Sequence, residues 1–280
     1  RRQRPGHRDD GGLGLPRYRA DQIFTWVYRK HHRSAEGMRN LPAGLRERFS
    51  ELCEMRLPRV ASVQATADQA THKFVLELEG GARIECVSMR TERRLTFCIS
   101  SQVGCALKCS FCATGLMGLE RNLRADEIVA QVIVMGDHHG WRDDRFNLVL
   151  MGMGEPLANY RPVVDALRIL HDERGLNVGA RRITVSTSGL VPQIRALAEE
   201  GLAVGLAVSL HATTDELRDR LVPVNQRWPI DELLAAARDF GKRTGRRVTL
   251  EYTLMAGVND RLEDAERLGR IARALPSKIN

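Results

Sequence analysis

Hydrophobic positions along the chain follow one spacing, then a second, then an alternation of the two. Ile23, Trp26 and Val27 stand at i, i+3 and i+4, and after Leu41 the proline at 42 is placed to open a second helix carrying Leu45, Phe49 and Leu52. Pro58 closes this segment. From about residue 60 to 90 the period is two. Phe74, Leu76 and Leu78 alternate with Lys73, Val75, Glu77 and Glu79, and Gly80-Gly81 predicts a hairpin turn into a strand from Ala82 to Met89.

Beyond about residue 91 the pattern is strand, loop, helix, repeated. Strands are predicted at 95–100, 146–151, 182–186, 203–210 and 248–254, with a sixth beginning near Lys278. Helices are predicted at 125–135, with Ile128, Val132 and Met135 on one face, and at 160–173, 192–199, 229–243 and 262–274, with Pro192 and Pro229 in first turns. Such units imply an α/β fold with a parallel sheet and right-handed crossovers. The expected organisation is a basic arm and helical accessory domain over 1–58, a β-hairpin extension over 59–90, and an α/β core over 91–280. Residues 1 to about 19, rich in Arg, Gly and Asp, read as a loop or arm.

Composition adds limits. With 280 residues, 43% hydrophobic and 28% charged, the chain is of ordinary soluble globular make-up. No apolar run reaches bilayer length, so no membrane partner is expected, and Arg1-Arg2-Gln3-Arg4 is not a signal peptide, so a cytoplasmic location is expected. Six cysteines without a regular framework suit a reducing compartment. Of the net charge of +8, residues 1–35 supply six, nine Arg or Lys against three Asp. A basic arm favours phosphate contacts, although a solvated, charge-rich terminus is the commoner explanation. The first residue is not methionine, and a fragment of a longer chain is expected.

Three of the six cysteines, Cys105, Cys109 and Cys112, fall within eight positions as Cys-x3-Cys-x2-Cys. Three thiolates on one loop can each take an iron of a cubane iron-sulfur cluster and leave the fourth iron open to a small molecule. This spacing is the signature of the radical S-adenosylmethionine (SAM) enzymes, in which SAM chelates that iron. A structural zinc site would need a second Cys-x2-Cys knuckle or a suitably spaced histidine, and a thioredoxin-like pair of Cys109 and Cys112 would leave Cys105 unexplained.

In parallel sheets of this kind active sites lie at the carboxyl ends of the strands. That rule selects Gly152-Met153-Gly154-Glu155-Pro156 after the second strand, Ser186-Thr187-Ser188-Gly189 after the third and Ser209-Leu210-His211 after the fourth, behind the cysteine loop after the first. Singly, a tight turn accounts for the glycines and a satisfied core histidine for His211; together they favour a SAM pocket. Glu85 shares a strand face with Val87 and Met89, and is either an edge residue reaching solvent or a base held near a site.

The segments Phe97 to Cys109, Gly118 to Leu123, Met151 to Leu157, Ser186 to Gly189, Ser209 to Ala212 and Leu221 to Asn225, in order from about Leu13 onward, closely resemble the RlmN-type dual-specificity 23S rRNA and tRNA adenine-C2 methyltransferases. The resemblance implies a partial (β/α)6 radical SAM barrel with a small N-terminal helical domain and a β-hairpin extension. By it, Cys105, Cys109 and Cys112 hold a [4Fe-4S] cluster, and Gly154, Glu155, Ser186, Ser209, Leu210, His211 and Asn280 bind SAM. Glu85 is similar to the family's proton acceptor and Cys98 to the cysteine of a transient disulfide. In the family one SAM methylates a cysteine and a second supplies a radical that activates this methyl for addition to adenine C2, a carbon with neither nucleophilic character nor an acidic proton. The methyl-carrying cysteine is expected beyond Asn280, since Cys53 and Cys86 do not match it.

The partners implied are 23S rRNA, tRNA and a reducing electron donor, with the enzyme a monomer. Enzymes acting on a base must expose it from its stack. Trp26, Tyr28 and Arg29 are candidate RNA contacts, Trp26 alternatively a core residue. The nearest rival is the related adenine-C8 methyltransferase, although Gln102 to Leu107 looks closer to the C2 family. More distant are a radical SAM enzyme acting on a protein or small molecule, and a non-catalytic RNA-binding protein with a structural metal.

Overall fold

The computed structural model describes residues 16–141 and 145–280. Most of the expected basic arm, residues 1–15, lies outside the described residues. The chain divides into two compact units: the residues up to Arg56 with Asp172–Asn177, and Leu57–His171 with Val178–Asn280.

In the first unit, helix α1 (Arg17–Tyr28) begins right after Pro16, inside the stretch expected to be arm, and α2 (Ala43–Leu52) follows Pro42. Both prolines sit just before the first helical residue, where their missing N–H costs nothing. Ala35, Met38, Leu41 and Phe49 form the buried core, with Ile23, Trp26, Val27, Leu45 and Met55 packed against it. Leu52, expected on this apolar face, is exposed. Trp26 is half-buried, donates its indole N–H to Asn40 Oδ1, and carries the Lys30 ammonium 3.7 Å from its ring centroid. Arg174 closes the unit by an ion pair with Asp21.

The second unit is built on one nine-stranded sheet. Strands β1 (Arg59–Ala65), β2 (Thr71–Glu77), β3 (Arg83–Thr91) and β4 (Arg94–Cys98) pair antiparallel in sequence order, so the expected hairpin is part of a meander. A separate two-stranded ribbon of β5 (Gln102–Gly104) and β6 (Leu119–Asn122) brackets the short helix α3 (Ala113–Met117). After α4 (Ala125–His138) the sheet continues parallel from β4 through β7 (Phe146–Leu150), β8 (Ile183–Thr187), β9 (Gly205–Ser209), β10 (Val248–Glu251) and β11 (Ser277–Ile279). Helices α5 (Tyr160–His171), α6 (Val191–Glu199), α7 (Asp215–Leu221), α8 (Ile230–Thr244) and α9 (Leu262–Ala274) occupy the crossovers. Six parallel strands in sequence order, with β11 bonded only to β10, make the partial barrel the resemblance implied.

Burial alternates along the strands with period two. Leu95 and Phe97, Leu148 and Leu150, and Ile183 and Val185 are at most 5% exposed, and each such side chain contributes on the order of 1.5–3 kcal/mol of burial. Their neighbours Thr96, Cys98, Val149, Thr184 and Ser186 face the other way and are half-open. Helix α4 is more deeply set than a one-sided amphipathic helix, since every residue from Glu127 to Gly136 is buried. Among the described residues no helix is long and apolar enough to cross a membrane.

Buried Gln131 of α4 couples this layer to the end of β4. Its Oε1 accepts the Ser100 N–H at 2.8 Å while its Nε2 donates to Ser100 O at 2.9 Å. Gln131→Leu strands both backbone groups in the interior, and a loss of roughly 3 kcal/mol is expected in urea unfolding.

Candidate functional site

Beyond β4 the chain runs through Ile99 and Ser100 into the cysteine loop, and polar side chains from four elements fasten it. Ser100 Oγ donates to Glu85 O at 2.5 Å and accepts the Met153 N–H at 2.8 Å, bridging β3 to the loop after β7. Gln102 Oε1 accepts the Glu155 N–H at 2.8 Å, and its amide donates to Asn122 Oδ1 at 2.7 Å. Asn159 Nδ2 donates to Ser101 O at 2.8 Å and Leu123 O at 2.7 Å, tying the two ends of the loop together. Two glycines permit this closeness. A Cβ on Gly104, at φ +79°, would fall 1.8 Å from Gly118 O, and one on Gly154, at φ +96°, 2.5 Å from Gln102 Cβ.

The three thiols are free, Cys105 and Cys109 buried and Cys112 partly open. Burial pushes the Cys109 thiol up to about 11, with the neighbouring Cys105 and Cys112 adding to the rise, and burial likewise raises Cys105. Among the described residues no three His, Cys, Asp or Glu side chains converge as a single ion requires. A cubane cluster needs a different arrangement, one thiolate for each of several irons. Three neighbouring thiols on one fastened loop suit it. Cys109 packs with Ala212, Leu221 and Val222, and the Ser110 N–H donates to Leu221 O at 3.1 Å, so the loop leans on the end of α7.

Glu155 is 3% exposed. Its Oε2 accepts the Ser188 N–H at 2.8 Å and its Oε1 the Leu157 N–H at 3.1 Å. Burial raises its pKa, opposed by these donors. A carboxylate held this way is oriented to receive a cation. Ser209, Glu251 and Asn280 stand side by side at the carboxyl ends of β9, β10 and β11, Asn280 donating its side-chain amide to Glu251 Oε2 at 2.8 Å. Leu210 is wholly buried and meets this row through its backbone, its N–H reaching Glu251 O at 3.0 Å. Ser186 is set one residue back from the end of β8.

His211 sits at φ +55°, a left-handed conformation uncommon outside glycine. Asn259 holds it there, donating to His211 O at 2.8 Å, while His211 Nδ1 accepts the Thr253 N–H at 3.1 Å and its ring meets Phe111 edge-on at 4.8 Å. Burial, then the Arg218 charge, lowers its pKa to about 4.

Glu85 and Cys98 lie on the sheet's half-open face. Glu85 Oε1 accepts from Lys73 Nζ at 3.0 Å, with about half of the carboxylate side chain exposed. The face expected to be otherwise apolar therefore carries an ion pair reaching solvent. Cys98 pairs with Val87 across β3 and β4, two residues from Glu85 on the same face. Cys86 points to the opposite, buried face by strand alternation. Burial pushes the Cys98 thiol up to about 11 and the Cys86 thiol up to about 12.

Arg218 of α7 escapes sequence reading. Set in the charged run Asp215-Glu216-Leu217-Arg218-Asp219-Arg220, it reads as a solvated helix face, yet it is 0% exposed. Its guanidinium donates to Ser188 O at 2.6 Å, Ser209 O at 2.9 Å, Leu210 O at 3.1 Å and Asn225 Oδ1 at 2.9 Å. Those carbonyls belong to the loops after β8 and β9, so one planar fork joins two strand ends. Gln102, Gln131, Asn159 and Asn259 were missed too, because a buried amide carries no spacing signature.

A family profile described as the Radical SAM superfamily matches residues 99–269, from the end of β4 through most of α9. A second, described as the Ribosomal RNA large subunit methyltransferase N-terminal domain, matches residues 11–55. The probable dual-specificity RNA methyltransferase RlmN of Dictyoglomus turgidum is 46% identical over 96% of this chain and 77% of its own length. The chain belongs to the RlmN branch of the radical SAM superfamily. Another relative in this branch, the dual-specificity RNA methyltransferase RlmN of Anaeromyxobacter dehalogenans, is 48% identical over 96% of this chain and 73% of its own. A crystal structure of a radical SAM methyltransferase from Sphaerobacter thermophilus superposes with a TM-score of 0.88 at 49% identity, covering 95% of this chain and 79% of that one. Membership in the superfamily brings a [4Fe-4S] cluster and SAM as cofactors.

Two outcomes are expected. Gly104→Ala, whose methyl group has no room beside Gly118 O, loses most of its iron and acid-labile sulfide after anaerobic reconstitution while the rest of the sheet stays folded by circular dichroism. Because the folded-state pKa of His211 lies below its ordinary 6.5, at about 4, its contribution to stability is full above pH 6.5 and is lost as pH falls towards 4. Denaturant unfolding of wild type against His211→Gln over that window should show roughly 3 kcal/mol of pH dependence that the variant lacks.

Proposed function

We propose that this protein methylates C2 of an adenine in 23S rRNA and in tRNA, using a [4Fe-4S] cluster and two molecules of SAM. The observation that carries the proposal is the fastened loop bearing Cys105, Cys109 and Cys112 beside the buried carboxylate of Glu155, in a chain of the RlmN branch. The relatives' shared name, dual-specificity RNA methyltransferase, supports two RNA substrates and does not favour the C8 alternative.

In this reading the three thiolates hold three irons, and the cofactors, once bound, supply the radical that activates an otherwise inert methyl group. The protein's part is placement. Glu155, fixed by two backbone donors, takes the SAM ammonium, and the incoming positive charge favours the charged form that burial disfavours. Gly154 lets the backbone approach the ligand closely. Ser186, Ser209, Leu210, His211 and Asn280, on three strand ends, hold the rest of the molecule. His211 stays neutral at physiological pH, so its ring acts by hydrogen bonding and packing.

Glu85, held beside Lys73, removes the C2 proton in this reading, and its half-open position gives that proton a route to water. Cys98, on the same face, is the thiol of the transient disulfide. Its raised pKa keeps it protonated at rest, which spares the open barrel a reactive thiolate. Residues 1–58 form the proposed RNA-holding accessory domain, 59–90 the β-hairpin extension and 91–280 the radical SAM core. The assembly is a monomer reduced by an external donor in the cytoplasm.

The test is anaerobic incubation of the reconstituted enzyme with reductant, SAM and unmodified rRNA or tRNA, followed by mass spectrometry of nucleosides and small molecules. From a chain that carries the methyl-bearing cysteine, 2-methyladenosine together with 5'-deoxyadenosine is expected, and Cys105→Ala in that chain should abolish both. 8-Methyladenosine would overturn the C2 assignment, and intact SAM in the presence of a reduced cluster would overturn the radical reading.

A further inference from the structure

The carboxyl ends of the parallel strands carry the site just described; their amino ends carry something else. Arg94 opens β4, Arg145 precedes β7, Arg181 and Arg182 precede β8, and Arg246 and Arg247 precede β10. All these strands run in one direction, so the six guanidinium groups share one end of the barrel. Their side chains lie across it. Arg182 Nη1 donates to Arg145 O at 3.4 Å, and Arg246 Nη2, crossing the uncharged start of β9, donates to Arg181 O at 3.2 Å. Arg94, Arg145, Arg181 and Arg247 are exposed. Among the described residues none of the six makes an ion pair, whereas the neighbouring Arg243 has Glu199 at 3.7 Å. The charges are also crowded: burial and the Arg181 charge both lower the Arg246 pKa.

Like charges gathered without an ion pair among the described residues repel one another, and a surface that gathers them is suited to a polyanion. The chemistry of the groups narrows its identity. All six are arginine, whose planar fork matches a phosphate with two parallel hydrogen bonds. A protein partner would need an apolar or aromatic centre to anchor it. The exposed large apolar side chains, Leu116, Met117, Leu254 and Leu262 among them, belong to other segments. Backbone phosphates fit, and they are the feature that RNAs of unlike sequence have in common.

We infer that the arginine rim formed by Arg94, Arg145, Arg181, Arg182, Arg246 and Arg247 at the amino end of the barrel is a second, sequence-independent binding surface for the phosphate backbone of the RNA substrate. This rests on the RNA-methyltransferase reading above. A five-residue strand is about 16 Å long, so an RNA much larger than a hairpin, held by its target base at the carboxyl end, has phosphates available to the opposite end. A short stem-loop around the target adenine does not.

The experiment compares two ligands, a full-length unmodified tRNA and the isolated stem-loop that carries its target adenine, binding to the reconstituted wild type and to the triple variant Arg94→Ser, Arg181→Ser, Arg247→Ser. These three side chains are exposed, so folding should be retained, and the triple charge reversal to Glu serves as a second variant. For the serine variant, tRNA affinity is expected to fall about tenfold at low salt, and the dependence of log affinity on log salt to flatten by about 2, at 0.7–0.9 per lost phosphate contact. The Glu variant should lose more. Stem-loop affinity should be unchanged in both. Equal tRNA affinity and slope in all three proteins would overturn the rim while leaving the RNA reading intact. If wild type binds neither RNA, the RNA reading itself falls. Unchanged RNA binding with slower cluster reduction by an acidic flavoprotein would assign the rim to the electron donor and overturn the inference.

Discussion

A parallel strand that ends inside a protein leaves backbone donors and acceptors with no water to take them, and each one left unpaired costs about 1–3 kcal/mol. This barrel meets that constraint with side chains brought from elsewhere. Gln131 serves both backbone groups of Ser100, Asn159 reaches Ser101 and Leu123, Asn259 takes the carbonyls of His211 and Thr253, and Arg218 collects three carbonyls from two loops. The loops that hold the chemistry are rigid because their backbones are saturated in this way.

Rigidity at the strand ends has a direct electrostatic use. Glu155 is oriented by amide donors of Ser188 and Leu157, and the Ser188 backbone is pinned by Arg218, so a carboxylate and the helix that backs the cysteine loop share one hydrogen-bonded framework. The cost is a fully buried cation. Burial lowers the Arg218 pKa to about 10, and nearby Cys109, Asp215 and Asp219 oppose the fall. Replacing such a fork by lysine would keep a charge and lose the geometry.

The two ends of the barrel treat cations in opposite ways. At the carboxyl end Arg218 is enclosed and spends its hydrogen bonds on the protein. At the amino end Arg94, Arg145, Arg181 and Arg247 remain in solvent, and the bonds made by Arg182 and Arg246 are to carbonyls, which carry no full charge. Enclosed charge holds two strand ends together, whereas rim charge stays in contact with water.

Much of this was legible in the chain itself. Period-two runs marked β2, β3 and the parallel strands, helical spacing marked α4 to α6, α8 and α9, and α9 falls at 262–274, as read. The Cys-x3-Cys-x2-Cys spacing carried the cofactor chemistry, because close thiols on one loop have few other uses. Short or irregular elements were not legible: β1, the β5–β6 ribbon and α7 are too brief or too polar for periodicity to register. Burial of Arg218, exposure of Leu52 and the ion pair on Glu85 were decided by tertiary structure, since a residue's own side chain does not determine which neighbours shield it. Order along the chain thus marked which groups are candidates to react, through local spacing; folding alone settled which are dry, charged and facing one another, because those properties depend on residues distant in sequence.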